Sequence, residues 1–286
     1  MSWHWLFEPF ALGFMRRALA GCVALSLAGP PLGVLLVLRR MSLTSDALQH
    51  GILPGVALGA LAGGFSLWAM GLGGVLAGFL VVLLAGGLAR ASGGREDSQL
   101  AGVYLVALAL GVAIVSATRG VDLAHLLFGS VMAVDNSALL LMAGAATVSL
   151  FGLAVIWRPL VLESFDPGFM RAVGGHGGVW HLGFMGLVVL CVVGGFAALG
   201  TLMSVGLIML PAVAARHFAA ELAGQIRASV ALALVASLAG LLLSFHADLP
   251  AGPAIVLSAG GLWAAGLLAG PRESLRARVW RPHLRG

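Results

Sequence analysis

The chain has 286 residues, of which 60% are hydrophobic and 9% are charged. Soluble globular domains carry about 25% charged residues, so this composition excludes that class and indicates a helical membrane protein with several spans. All sixteen basic residues are arginine, which excludes a Walker A nucleotide-binding loop because that loop needs a lysine. The arginines are scattered between apolar runs and form no basic patch, so we also exclude a nucleic-acid-binding protein.

The N-terminal segment, residues 1–16, precedes the apolar part of the chain. It contains Trp3, Trp5 and Phe7, and aromatic side chains are enriched where a membrane meets water. We therefore predict an interfacial segment here, followed by a transmembrane domain over 17–270 and a basic cytoplasmic tail over 271–286.

Nine apolar runs divide the transmembrane domain, most of them with the roughly 17 to 25 residues that cross a bilayer. They lie near 17–38, 46–69, 71–89, 98–117, 136–157, 179–200, 202–216, 228–246 and 253–270. The run at 202–216 is short and contains Pro211, which is typical of a broken or partial helix. The sequence therefore predicts an all-α transmembrane bundle of eight or nine spans.

The arginines orient these spans. If the C-terminal tail is cytoplasmic and nine spans alternate, only Arg16, Arg17 and Arg119 lie outside, and the other arginines lie inside. An excess of basic residues in cytoplasmic loops is the rule for helical membrane proteins. This orientation makes residues 158–178 the longest cytoplasmic connection.

Asp46 and His50 stand four residues apart at the start of the second run, a spacing that puts both side chains on one helix face. Ionisable residues at the edge of a span often serve an ion or proton path, and a carboxylate with an imidazole suits a divalent transition metal. The alternative is a helix cap and a satisfied polar pair in the headgroup zone.

A glycine repeats at every fourth position just after this pair, at Gly51, Gly55, Gly59 and Gly63. Such a stripe lets a second helix backbone approach closely. We therefore predict that this helix is central in the bundle.

The cytoplasmic connection 158–178 carries several polar residues. Asp166-Pro167 can start a short helix and Gly174-Gly175 can end it, so we predict a short amphipathic helix that could dock a partner. A solvated loop of the same composition is the alternative. His176 and His181 flank this connection, and we expect both to be exposed.

On the outer side, two histidine–aspartate pairs are further candidates for meeting a cation: His246 with Asp248, and His125 with Asp122. For His246 and Asp248 we favour a solvent-exposed turn as the explanation. For His125 and Asp122 we favour a polar contact at the membrane interface.

Six segments, taken in chain order, resemble the permeases of metal-ion ABC importers, the zinc and manganese group. They are RRMSLTSDALQHGILPGVALG, REDSQLAGVYLVALALG, HLLFGSVMAV, ESFDPGFMRAVG, GTLMSVGLIMLPAVAARHFA and DLPAGPAIVL. They are spread along the chain between Arg39 and Leu268.

The resemblance implies a permease of the bacterial plasma membrane that pairs into a dimer and docks on two ATPase subunits, with ATP hydrolysed there and not by this chain. It also implies an extracytoplasmic binding protein that delivers the metal, zinc first, with manganese or ferrous iron as alternatives. Asp46 and His50 match the metal path of the family. The segment that couples transport to the ATPase would include Glu163, Phe165, Asp166, Phe169, Arg171 and Gly174.

Three other classes of protein are alternatives to a permease of an ABC importer. An intramembrane metalloprotease is disfavoured because the chain has no HExxH motif. A proton-coupled secondary metal transporter is possible, since aspartate and histidine also relay protons, but it gives no reason for FDPGFMRAVG. A purely structural membrane subunit predicts that Asp46 and His50 are dispensable.

Overall fold

The computed structural model describes residues 8–64, 66–117, 134–172, 175, 177–272 and 274–275. Their regular structure is helical and consists of one 3₁₀ turn, Glu8–Ala11, and a series of α-helices. The α-helices are α1 (Gly13–Leu38), α2 (Thr44–Gly51), α3 (Leu53–Gly63), α4 (Leu67–Ser92), α5 (Glu96–Ala117), α6 (Asn136–Phe165), α7 (Pro167–Ala172), α8 (Gly177–Leu199), α9 (Thr201–Ala215), α10 (Leu222–His246) and α11 (Ala251–Ala269).

Seven helices in the described part of the chain are long and apolar enough to cross a membrane: α1, α4, α5, α6, α8, α10 and α11. Each matches one of the apolar runs, which confirms the predicted all-α membrane bundle. The predicted count of eight or nine spans is not confirmed, because the second and seventh runs do not form single helices of spanning length.

The second and seventh runs each contain a proline. The second run is interrupted at Ile52, which separates α2 from α3. Pro54 has no N–H to donate to the carbonyl of His50, so one backbone hydrogen bond is missing where α2 meets α3. The seventh run forms α9, which has 15 residues and contains Pro211. At about 1.5 Å per residue α9 reaches roughly 22 Å, less than the ~30 Å hydrocarbon core.

The first helix, α1, is the most buried of the seven. It packs against α6, α9 and α10, while α3, α4 and α5 form a neighbouring group that α8 joins to α1 and α6. Gly29 of α1 faces the side chain of Ile208, and Gly33 faces the carbonyl oxygen of Ile208. Because these glycines have no side chain, α9 lies directly against the backbone of α1. The helix begins at Gly13, so Arg16 lies inside it and not before it, while residues 1–7 of the predicted interfacial segment lie outside the described residues.

The glycine stripe of α3 lies against α4. A Cβ atom on Gly55 would overlap the carbonyl oxygen of Gly73, and one on Gly59 would overlap the carbonyl oxygen of Ala69. The predicted close approach of a second helix is therefore confirmed, and its partner is the next helix along the chain.

Candidate functional site

Asp46 and His50 lie on α2, an eight-residue helix that begins six residues after the end of α1. The Nε2 atom of His50 is 3.9 Å from Oδ1 of Asp46, and the side chains are 34% and 56% exposed. A separation of 3.9 Å is too long for a hydrogen bond. The imidazole nitrogen and the carboxylate oxygen are therefore not bound to each other, and both can bind a third partner.

An apolar groove of about 920 Å³ begins beside this pair and runs between α3, α4 and α5. Gly51, the residue after His50, lines this groove, and Pro54, Leu58 and Ala62 line it at intervals of four residues along α3. Among the lining residues only Gln99 is polar. The groove is therefore a hydrophobic surface that leads away from an acid–imidazole pair.

Of the other predicted metal candidates, His246 and Asp248 lie in the described part of the chain, at the connection between α10 and α11. His246 ends α10, where its Nδ1 atom lies 2.9 Å from the carbonyl oxygen of Leu242, and Asp248 has a left-handed backbone (φ 50°) in the turn before α11. Asp122 and His125 lie outside the described residues. Within the described ranges, no three histidine, cysteine, aspartate or glutamate side chains gather into a possible metal site.

The predicted short cytoplasmic helix is α7, which has six residues. The Oδ1 atom of Asp166 accepts a hydrogen bond of 2.8 Å from the backbone N–H of Phe169, which is the bond of an N-cap. The backbone N–H of Gly175 donates to the carbonyl of Met170 at 2.9 Å. The predicted start at Asp166-Pro167 is confirmed. Gly174 lies outside the described residues.

Two phenylalanines make the surface of this segment apolar. Phe165 at the end of α6 is 67% exposed, and Phe169 on α7 is 53% exposed. Arg171 belongs to the same helix. Exposed aromatic side chains next to a capped turn are typical of a docking surface.

Arg39, directly after α1, lies at the centre of a polar cluster that the sequence did not predict. Its Nε atom donates to Oγ of Ser164 at 2.9 Å, its Nη1 atom lies 2.8 Å from Nδ1 of His181, and its Nη2 atom donates to the carbonyl of Leu160 at 3.3 Å. The guanidinium also lies 5.2 Å from the ring centroid of Phe184. Burial lowers the pKa of Arg39, while the charges of Glu163 and Glu96 oppose that shift.

His181 extends the cluster to a fourth helix. Its Nε2 atom lies 3.0 Å from both carboxylate oxygens of Glu96, and its side chain is only 18% exposed. The expectation that His181 flanks the cytoplasmic connection as an exposed residue is therefore wrong. Arg39 and Glu96 lie on either side of the imidazole. His176 lies outside the described residues.

The contacts between helix ends follow the alternation of inside and outside connections that the arginines predict. Arg39, Glu96, Ser164 and His181 meet at one end of the bundle. At a second meeting point, Arg17 near the start of α1 donates from Nε to the carbonyl of Val134 at 2.8 Å. These contacts agree with the order of inside and outside segments. Which end faces the cytoplasm stays a prediction from charge.

Together these features define a multi-pass helical membrane protein with an acid–imidazole pair beside an apolar groove. A family model for the ABC 3 transport family matches residues 11–269, which is nearly the whole helical bundle. The chain therefore belongs to the ABC 3 transport family.

Curated relatives extend this result. The manganese transport system membrane protein MntC of Halalkalibacterium halodurans is 28% identical over 276 residues, covering 96% of this chain and 93% of the relative. The manganese import system permease protein ScaB of Streptococcus gordonii is 29% identical over 262 residues, covering 91% and 92%. A probable iron transport system membrane protein of Haemophilus influenzae is 29% identical over 255 residues, covering 88% and 92%.

Solved structures agree. PsaBC from Streptococcus pneumoniae in complex with Fab superposes with a TM-score of 0.84 at 26% identity, covering 97% of this chain and 98% of that chain. An inward-facing conformation of a metal-chelate type ABC transporter superposes at 0.67 with 20% identity, covering 88% and 84%, and supports the fold alone. The predicted resemblance to metal-ion ABC transporter permeases is confirmed, and the chain is a membrane subunit of the permease type and not a catalytic one.

Proposed function

We propose that this chain is the permease subunit of an ATP-driven importer of Mn²⁺ in a bacterial plasma membrane. The observation that carries the proposal is the Asp46–His50 pair, two metal-compatible donors at 3.9 Å on one exposed helix face beside a groove. Family membership supplies the class of transporter. The pair supplies the chemistry that a passing cation needs.

Manganese replaces zinc as the first choice of substrate. The sequence alone favoured zinc, but the relatives described above are named for manganese, and one for iron. Carboxylate oxygen is a preferred ligand of Mn²⁺, and imidazole is accepted by several divalent metals. The carboxylate oxygen of Asp46 therefore suits Mn²⁺, while the imidazole of His50 also suits zinc and ferrous iron, which become competitors in the test.

A second copy of the chain would complete the path. Asp46 is 56% exposed in the single chain, and an ionisable side chain that faces lipid is costly. A twofold dimer that covers this face would bring two acid–imidazole pairs to one axis. Four protein donors could then surround the cation, where one chain offers two.

The partner at the cytoplasmic end would be a separate ATPase subunit, one for each permease. Phe165 and Phe169 are the exposed apolar anchors of the coupling segment, and Asp166 fixes the start of α7 between them. Glu163, Arg171 and Gly174 belong to the same proposed coupling segment. A binding protein outside the membrane would deliver the metal to the opposite end.

The proposal is tested by uptake of radioactive Mn²⁺ into proteoliposomes that contain the assembled transporter, normalised to folded permease. We expect Asp46→Asn and His50→Ala to lower uptake strongly, because the first removes the charge that offsets a dication and the second removes the nitrogen ligand. Asp97→Asn, which removes a carboxylate from the first turn of α5, is the matched control and should transport normally. Wild-type uptake in both Asp46 and His50 variants would refute the assignment of this pair to the metal path.

A further inference from the structure

The inner ends of four helices are joined by hydrogen bonds between charged and polar side chains. Arg39 follows α1, Glu96 begins α5, Ser164 lies near the end of α6, and His181 lies near the start of α8. Arg39 and His181 are 142 residues apart in the chain and 2.8 Å apart in space. We call these four residues the inner clasp.

The direction of each hydrogen bond in the inner clasp is fixed by chemistry. Arginine can only donate, so Nδ1 of His181 accepts from Arg39. The hydrogen of a neutral imidazole is then on Nε2, where it points at the carboxylate of Glu96 at 3.0 Å. The imidazole therefore acts as acceptor on one side and donor on the other, and it transmits the position of Arg39 to Glu96.

The inner clasp resists separation because its arginine is largely desolvated. Arg39 has given up water for Ser164, His181 and the carbonyl of Leu160. Pulling any one of these partners away would leave a donor group of a half-buried arginine without its acceptor, which is unfavourable. The four helix ends are therefore expected to move as one body.

The coupling segment and α2 are each joined to the inner clasp by a short stretch of chain. Ser164 is two residues before Asp166, which caps α7. Arg39 is five residues before Thr44, where α2 begins. Two backbone hydrogen bonds hold the turn between Arg39 and Thr44. The N–H of Met41 donates to the carbonyl of Leu36 at 2.9 Å, and the N–H of Thr44 donates to the carbonyl of Met41 at 3.1 Å.

We propose that the inner clasp is the mechanical link through which movement of the coupling segment reaches α2 and its acid–imidazole pair. The proposal rests on the proposed function, and it assigns Arg39, His181, Glu96 and Ser164 as positioning residues that do not touch the metal. Movement of α7 shifts Ser164. Arg39 follows Ser164, and the tied turn carries the shift to Asp46.

The experiment uses the complete transporter, with its ATPase subunit and binding protein, in proteoliposomes loaded for ATP hydrolysis. Mn²⁺ uptake and ATP hydrolysis are measured on the same preparation, and their ratio is compared among variants. We expect R39Q and H181F to lower Mn²⁺ transported per ATP by roughly 2- to 30-fold, the range typical of residues that couple distant sites. E96Q keeps the shape and loses only the charge, and we expect a smaller loss in the same direction.

Two variants separate coupling from folding. R40Q changes the neighbouring arginine, which is exposed, and should keep the wild-type ratio. H181Q keeps one acceptor and one donor on the side chain and should recover most of the ratio that H181F loses. Folded permease is quantified for every variant, because a purely structural cluster would lower that amount and leave the ratio unchanged.

The outcomes are distinct. If the wild type takes up Mn²⁺ and R39Q, H181F and E96Q keep its ratio of uptake to hydrolysis, the inner clasp is not a coupling link and only this proposal fails. If the wild type takes up no metal, the proposed function fails and this proposal fails with it. A lowered ratio in R40Q equal to that in R39Q would also overturn the assignment.

Discussion

The crossing of α3 and α4 offers a sharp test of how the bundle is held together. A Cβ atom added at Gly55 would overlap the carbonyl oxygen of Gly73, and a Cβ atom at Gly73 would overlap the carbonyl oxygen of Gly55. Neither oxygen can move without moving its helix. We therefore expect Gly55→Ala to push α3 and α4 apart and to destabilise the permease.

The magnitude follows from comparison with a glycine in open space. Gly144 in the middle of α6 has no heavy atom within 4 Å of an added Cβ. Glycine to alanine favours a helix by about 1 kcal/mol wherever it is made, so that gain is common to Gly55→Ala and Gly144→Ala. Overpacking costs about 1–3 kcal/mol and applies only at Gly55. The difference between the two variants should therefore be about 1–3 kcal/mol.

The assay is unfolding of the purified permease by sodium dodecyl sulfate in mixed micelles, followed by circular dichroism. Gly144→Ala should be at least as stable as the wild type, and Gly55→Ala should unfold at lower detergent fraction. Equal midpoints for the two variants would show that the helices can separate at no cost, which would refute the inferred backbone contact. Because Gly55 also lines the groove, its variant should alter uptake per folded molecule as well.

Three further predictions concern single features. Asp166→Ala removes the cap of α7 and should cost that helix about 1 kcal/mol, seen as faster hydrogen exchange at the amide of Phe169, while Asp166→Asn should retain the protection. Phe165→Ser with Phe169→Ser should weaken binding of the ATPase subunit in a pull-down without changing the thermal unfolding of the permease alone; undiminished capture would contradict the docking role. Pro54→Ala restores a donor to the carbonyl of His50, so α2 and α3 should merge into one helix and Mn²⁺ uptake should fall; unchanged uptake would show that the break is not needed for transport.

Much of the fold could be predicted because hydrophobic run length is a local property. All seven long helices match apolar runs in the sequence, and the start of α7 at Asp166-Pro167 followed from local capping chemistry. The break at Ile52 was missed although Pro54 was visible, because the run stays apolar through the proline. Hydropathy reports burial in lipid and does not report where a helix loses a backbone hydrogen bond.

The inner clasp could not be predicted in the same way. Its members are separated by as many as 142 residues, and only the packing of four helices brings them together. A usable signal did exist, since Arg39, Glu96 and His181 all fall at predicted inner ends of spans. Ionisable groups near a membrane usually pair with one another. Grouping them by the predicted end of the bundle would therefore have suggested a cluster at the inner end, and would have corrected the expectation that His181 is exposed.

The central position of α1 also determines the order in which the bundle can assemble during synthesis. This helix is synthesised before its partners α9 and α10, and about 200 residues lie between Leu38 and His246. Synthesis at about 5–20 residues per second separates their arrival by roughly 10–40 s. During that interval α1 lies in lipid or in the insertion machinery without these two partners. The carbonyls that lack a hydrogen bond because of Pro30 and Pro31, and the glycine face that later packs against α9, are then exposed to that environment.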